Sequence, residues 1–192
     1  MIKKKVAVLV AASALSIPAY AADDGWYLVG SVGQTKFKDA NDFAPPITFD
    51  DTDTGFRLGG GYMFNKNFGV EGSYVDLGKA KVKSPAGISG DFKASGFAVV
   101  ALGVLPINPQ WSVHARLGLI DATAKATASA GGLSASDSST DVKTTYGVGG
   151  AFHLNKEWSI HLDYDIYSKL GDDSTTGEST VNMFSLGVMY KF

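Results

Sequence analysis

The chain has 192 residues, 45% of them hydrophobic and 19% charged, with 23 glycines and no cysteine. That content is too apolar for a disordered chain, and glycine at nearly twice its usual share of about 7% follows no Gly-X-Y period that would make collagen. The missing cysteine excludes disulfides, thiolate zinc sites and cysteine nucleophiles, and a formal charge of −2 leaves no basic footprint for nucleic acid.

Met1-Ile2-Lys3-Lys4-Lys5 opens the chain as a basic segment, and Val6 to Ile17 is almost wholly apolar or small. Pro18-Ala19-Tyr20-Ala21 follows as an A-x-A signal, so residues 1–21 are predicted to be a signal peptide cleaved after Ala21. A membrane anchor is the alternative, but the apolar run falls short of the ~20 residues that a spanning helix needs. No cysteine follows the cut to carry a lipid. Loss of three lysines leaves 14 basic against 19 acidic residues in 22–192, a charge of −5.

Beyond residue 21 the chain alternates in short polar and apolar steps, the period-2 mark of strands with one buried face. In the first strand Trp26, Leu28, Gly30 and Val32 oppose Tyr27, Val29, Ser31 and Gly33. Phe56, Leu58, Gly60, Tyr62 and Phe64 then alternate with Gly55, Arg57, Gly59, Gly61 and Met63, and Val70, Gly72 and Tyr74 with Gly69, Glu71 and Ser73. The run Phe92–Leu105 is apolar on both sides, so its pattern assigns no faces. Tyr146, Val148, Gly150, Phe152 and Leu154 oppose Thr145, Gly147, Gly149, Ala151 and His153. Trp158, Ile160, Leu162, Tyr164 and Ile166 oppose Ser159, His161, Asp163 and Asp165, and Phe184, Leu186, Val188, Tyr190 and Phe192 close the chain against Ser185, Gly187, Met189 and Lys191. Tight turns are predicted at Asn65-Lys66-Asn67, Pro106 to Pro109 and Asn155-Lys156-Glu157, where Asn and Pro supply the backbone angles such turns require. Four longer polar stretches, near 38–52, 84–90, 128–140 and 168–179, read as loops, the third of them low in complexity and mobile. The breaks leave eight strands.

Alternation alone does not say which face meets water. A soluble barrel would keep its bulky apolar groups inside, whereas here the polar face is mostly Gly, Ser and Ala, which suits the narrow interior of an eight-stranded barrel. The bulky face, with Trp and Tyr towards the strand ends, suits lipid and its aromatic girdles. In lipid an unpaired strand edge costs several kcal/mol per exposed polar group, so the sheet must close. The predicted fold is all-β: an eight-stranded antiparallel up-and-down transmembrane β-barrel over 22–192, with short periplasmic turns and four longer extracellular loops.

These segments resemble the OmpA-like transmembrane barrels of Gram-negative outer membranes. The resemblance rests on Trp26-Tyr27, Gly60-Gly61-Tyr62 before Asn65, Gly69-Val70-Glu71, Pro106-Ile107, Arg116-Leu117-Gly118, Leu162-Asp163-Tyr164 and the closing Ser185–Phe192. It covers residues 25–192 and implies export through the periplasm to the outer membrane. Partners implied are outer-membrane lipid, lipopolysaccharide and the insertion machinery, which reads a C-terminal signal resembling Leu186, Val188, Tyr190 and Phe192. Larger relatives add a peptidoglycan-binding domain after the barrel; the sequence stops at Phe192, so cell-wall tethering is not expected. In the family, lumenal charges form a plug proposed to gate a narrow pore. Glu71, Arg116 and Asp163 sit at matching positions, while His161 stands where the family carries an arginine, and Leu102 and Ser31 where it carries lysines.

The concentrated chemistry is therefore a lumenal network of Arg57, Glu71, His114, Arg116, His153, His161, Asp163 and Asp165. Buried charges need partners, so a self-satisfied plug is expected, with an ion path as the alternative because intramembrane charges are often functional. His114, His153 and His161 fall on the fifth, sixth and seventh strands without short ligand spacing, so no metal site or cofactor is expected. A Ser–His nucleophile needs contact and an orienting acid, and all three histidines fall towards the turn rim, so no catalytic residues are assigned. Asp50-Asp51-Thr52-Asp53 and Asp172-Asp173 are acidic loop clusters without the spacing of a calcium loop. The expected function is a monomeric outer-membrane barrel with a structural or surface-presenting role. The alternatives are a narrow porin-like channel gated by lumenal charges and, less favoured, an outer-membrane lipid-modifying enzyme.

Overall fold

A computed structural model describes residues 24–38, 48–83, 89–130, 133–172 and 177–192. The predicted signal peptide and its cleavage site lie outside them. Nine β-segments follow in chain order: β1 (Gly25–Phe37), β2 (Thr48–Asp50), β3 (Thr52–Met63), β4 (Phe68–Lys83), β5 (Ser89–Pro106), β6 (Trp111–Ala130), β7 (Leu133–His153), β8 (Trp158–Asp172) and β9 (Gly177–Lys191). All pairings among the described residues are antiparallel: β1 with β3 and β9, β2 with β4, and each strand from β3 to β8 with the next in the chain. The β4–β5 ladder closes the ring. β2 pairs with β4 just beyond β3, one residue out of step (Asp50↔Lys81 against Phe56↔Asp76), so the two segments are one stave broken at Asp51. The barrel has eight staves.

Each short turn is built the same way. The Asn65 carboxamide oxygen accepts hydrogen bonds from the Asn67 and Phe68 amides, Asn108 from Gln110 and Trp111, and Asn155 from Glu157 and Trp158, at 2.6–3.0 Å. One asparagine oxygen thus satisfies two amides that the tight turn removes from the ladder.

The bulky face is outside. Leu28, Leu58, Leu117, Val148 and Leu186 are exposed, whereas Ser31, Arg57, Arg116, Thr145 and Ser185 on the opposite parity are buried. Aromatic pairs gird the short-turn rim (Trp26–Tyr62, Trp111–Phe152, Trp158–Tyr190), and Phe56, Tyr74 and Phe97 stack along the other. β5 resolves the ambiguous run: Phe97, Val99 and Leu105 face out, while Ala98, Val100 and Leu102 are buried inside.

The strands overrun the predicted loops. β6 and β7 remain paired from Trp111↔Phe152 to Ala130↔Leu133, so most of 128–140 is ladder rather than a mobile loop. A Ser/Thr/Ala segment polar on both faces reads as loop, yet its backbone still completes hydrogen bonds with an equally polar partner. The Thr123 and Thr140 hydroxyls also bond across the ribbon at 3.0 Å. At the same rim, register shifts after Asp76 and Tyr167 coincide with left-handed Gly78 (φ 71°) and Lys169 (φ 51°). These are bulges that bend strands where they leave the barrel.

Candidate functional site

The lumen has three layers. Midway up, β3, β4, β6 and β8 point Arg57, Glu71, His114, Arg116, His161, Asp163 and Asp165 inward, each no more than 7% exposed. Arg57 Nη2 donates to Asp163 Oδ2 at 2.8 Å, while its Nη1 lies 3.5 Å from Asp165 Oδ2 and 3.7 Å from Glu71 Oε1. Arg116 Nη2 bridges Asp165 Oδ2 (3.0 Å) and Asp163 Oδ1 (3.2 Å). The Tyr27 hydroxyl donates to Glu71 Oε2 at 3.1 Å. Glycines opposite make room: a Cβ on Gly147 would strike Asp165 Oδ1, and one on Gly149 would strike Asp163 Oδ1 and His114 Nε2.

Fold and parity put seven of the eight predicted network residues together. His114, not His161, takes Asp163, with Nε2 2.7 Å from Oδ1. His161 instead shares a hydrogen bond with the Ser159 hydroxyl at 2.9 Å and stacks 5.3 Å from the His114 ring. His153 stands apart nearer the turns, bonded to the Ser112 hydroxyl at 2.9 Å. The cluster is not fully self-satisfied, since Glu71 Oε1, Arg57 Nε and Arg116 Nε have no protein hydrogen-bond partner among the described residues.

Towards the short turns the lumen opens into a vestibule of about 820 Å³, walled by Val29, Met63, Leu102 and Met189 and containing all three histidines. Towards the long loops lies a layer that pattern reading did not separate from the small, polar lumen. Leu77, Ile120, Leu170, Val181 and Met183 are fully buried there, packed with Phe37, Val75 and Tyr167. It was legible in phase: Val75 and Leu77 continue the parity of Glu71 and Ser73, and Met183 continues that of Ser185. The lumen thus carries its charges above the vestibule and, above them, an apolar septum of buried side chains.

Two Ser–His contacts exist, Ser112–His153 and Ser159–His161, but among the described residues neither imidazole is held by a carboxylate. The histidine that has an acid, His114, has no serine partner among the described residues. An orienting acid and a nucleophile are therefore not combined on one base.

Residues 7–192 match the family described as the outer membrane protein beta-barrel domain. The chain belongs to this family. Outer membrane protein A of Serratia marcescens is 32% identical over 206 residues, covering 100% of this chain and 56% of that protein. The chain thus spans little more than half the length of that relative. The attachment invasion locus protein of Yersinia pseudotuberculosis is 32% identical over 146 residues, covering 74% of each chain. The crystal structure of Ail, the attachment invasion locus protein of Yersinia pestis, matches with a TM-score of 0.59 and 28% identity over 89% of this chain and 99% of that one. This outer-membrane barrel therefore resides in the Gram-negative outer membrane.

Proposed function

We propose that this outer-membrane barrel is a non-enzymatic, monomeric surface-presenting protein that recognises a partner outside the cell through its protruding β6–β7 ribbon. One observation carries this function. β7 is paired to β8 only from Thr145 to His153, yet it stays paired to β6 out to Leu133, and β6 to β5 out to Ser129, so the β6–β7 ribbon is the outer edge of a sheet that extends past the barrel. About ten residues per strand, at about 3.3 Å each along the strand, stand beyond the aromatic girdle with polar side chains such as Asp137, Ser138 and Thr140 exposed. Membrane anchorage does not need that length. The attachment invasion locus relative, named for attachment, supports a surface role. Closure by the β4–β5 ladder leaves no transmembrane edge that would demand a second copy. The apolar septum argues against the porin-like alternative.

Replacing residues 126–137 with Asn-Gly, a two-residue hairpin turn, reconnects the ribbon at the Lys125–Ser138 pair. Folded barrel in the outer membrane should be unchanged, while attachment of displaying cells to a cultured-cell monolayer should fall. Unchanged attachment would overturn the ribbon's role.

A further inference from the structure

His114 Nε2, His161 Nε2 and a carboxylate oxygen of Asp163 are the kind of ligand atoms that zinc and copper(II) take. In this barrel the ligand atoms of these three buried residues lie within 4.8 Å of one another. We propose that His114, His161 and Asp163 form a binding site for a borderline divalent metal ion of the zinc(II) class, reached from the periplasm through the vestibule.

Charge favours a cation there. With neutral imidazoles the buried cluster holds three carboxylates (Glu71, Asp163, Asp165) against two guanidinium groups (Arg57, Arg116), a surplus of one negative charge. An uncompensated buried charge is costly, and a divalent ion with one anion from the vestibule as fourth ligand reduces the surplus to zero. The supporting shell is already in place. Arg57 holds Asp163 Oδ2 at 2.8 Å, which leaves Oδ1 turned to the imidazoles, the outer-shell orientation that metal carboxylates depend on. Arg116 can leave Oδ1 and keep Asp165 at 3.0 Å. The ion displaces the His114–Asp163 and His161–Ser159 hydrogen bonds and the Arg116 contact to Oδ1. Metal–ligand bonds near 2.0–2.2 Å set tetrahedral ligand atoms roughly 3.4 Å apart, so His114 Nε2 and Asp163 Oδ1 open from 2.7 Å while His161 adjusts within the 4.8 Å that spans the three. Gly149 leaves the space where the carboxylate and imidazole meet. Both histidines line the vestibule, so an open coordination position would face water.

The full chain, folded in detergent micelles and stripped with chelator, is titrated with Zn²⁺ by calorimetry and with Co²⁺ by visible absorption. One ion per chain is expected, with cobalt bands of low symmetry. His161→Ala and His114→Ala should each weaken binding by at least about a hundredfold, the upper range for loss of even an outer-shell partner. His153→Ala, which removes the remaining histidine, should leave affinity unchanged. Among the described residues His161 touches no carboxylate or arginine by hydrogen bond, so its alanine variant keeps the charge network, and the heat-modifiable gel shift verifies folding of every variant. Absence of saturable binding, retention of affinity in folded His161→Ala, or equal weakening by His153→Ala would each overturn the site.

Discussion

At the scale of single residues, space and parity decide what each lumenal position tolerates. Gly149 sits where any Cβ would meet Asp163 Oδ1 and His114 Nε2, both locked in the charge cluster. Gly149→Ala should therefore destabilise the barrel by about 1–3 kcal/mol, the usual cost of overpacking. Gly103→Ala, where a Cβ meets nothing within 4 Å, should be near neutral. Urea titration in lipid vesicles reads both, and equal losses would mean that the lumen yields around Gly149. The outer face obeys a different rule. Leu162 is 48% exposed, between the Trp158 and Tyr164 levels. Leu162→Arg should cost about 2–4 kcal/mol, the penalty for Arg on a lipid face at the midplane, and Leu162→Ala much less; equal costs in the same titration would reverse the assigned faces. That face was legible because bulky and small residues alternate without a slip from Trp158 to Asp165. The pairing of His114 rather than His161 with Asp163 was not, because alternation fixes a side chain's face and height but not which neighbour across the lumen it meets.

At the scale of elements, strands were legible where lipid demands a pattern and illegible where water does not. β9 alternates cleanly because one face meets lipid, and β6 keeps its alternation outward, with Ile120, Ala122 and Ala124 buried against Asp121, Thr123 and Lys125, whereas the outer half of β7 is largely Ser, Thr and Asp on both faces and carries no periodic signal. β5 failed for the opposite reason, since lipid and the apolar lumen both accept Val and Leu. β9 also bears a prediction about assembly. Leu186, Val188 and Phe192 project outward in a row, with Tyr190 stacked 5.1 Å from Phe192, and the Phe192 amide donates to the Trp26 carbonyl at 3.0 Å, tying the chain end to β1. We propose that this outward row is the signal read by the insertion machinery. Deleting Phe192 should lower the heat-modifiable, folded fraction in outer membranes while purified chain still refolds in detergent. Loss of refolding in detergent as well would assign Phe192 to barrel closure instead.

At the scale of the whole molecule, two barriers stand in series along the lumen: the charge layer, open to the vestibule below, and the septum of Leu77, Ile120, Leu170, Val181 and Met183 above it. An ion that passes the first still faces side chains that offer no hydration, and apolar constrictions stop conduction by excluding water. Wild-type barrel in a planar bilayer should therefore be electrically silent. Disrupting the charges should not change that. Arg116→Ala removes contacts to Asp163 and Asp165, and breaking a buried pair costs about 3–5 kcal/mol, so the variant is recorded only after its gel shift shows a folded barrel. It should remain silent, because the septum above it is untouched. Combining Arg116→Ala with Ile120→Ser and Leu170→Ser wets both layers and should produce conductance steps. Steps from Arg116→Ala alone would place the whole barrier in the charge layer, making the lumen a gated path rather than a sealed cup.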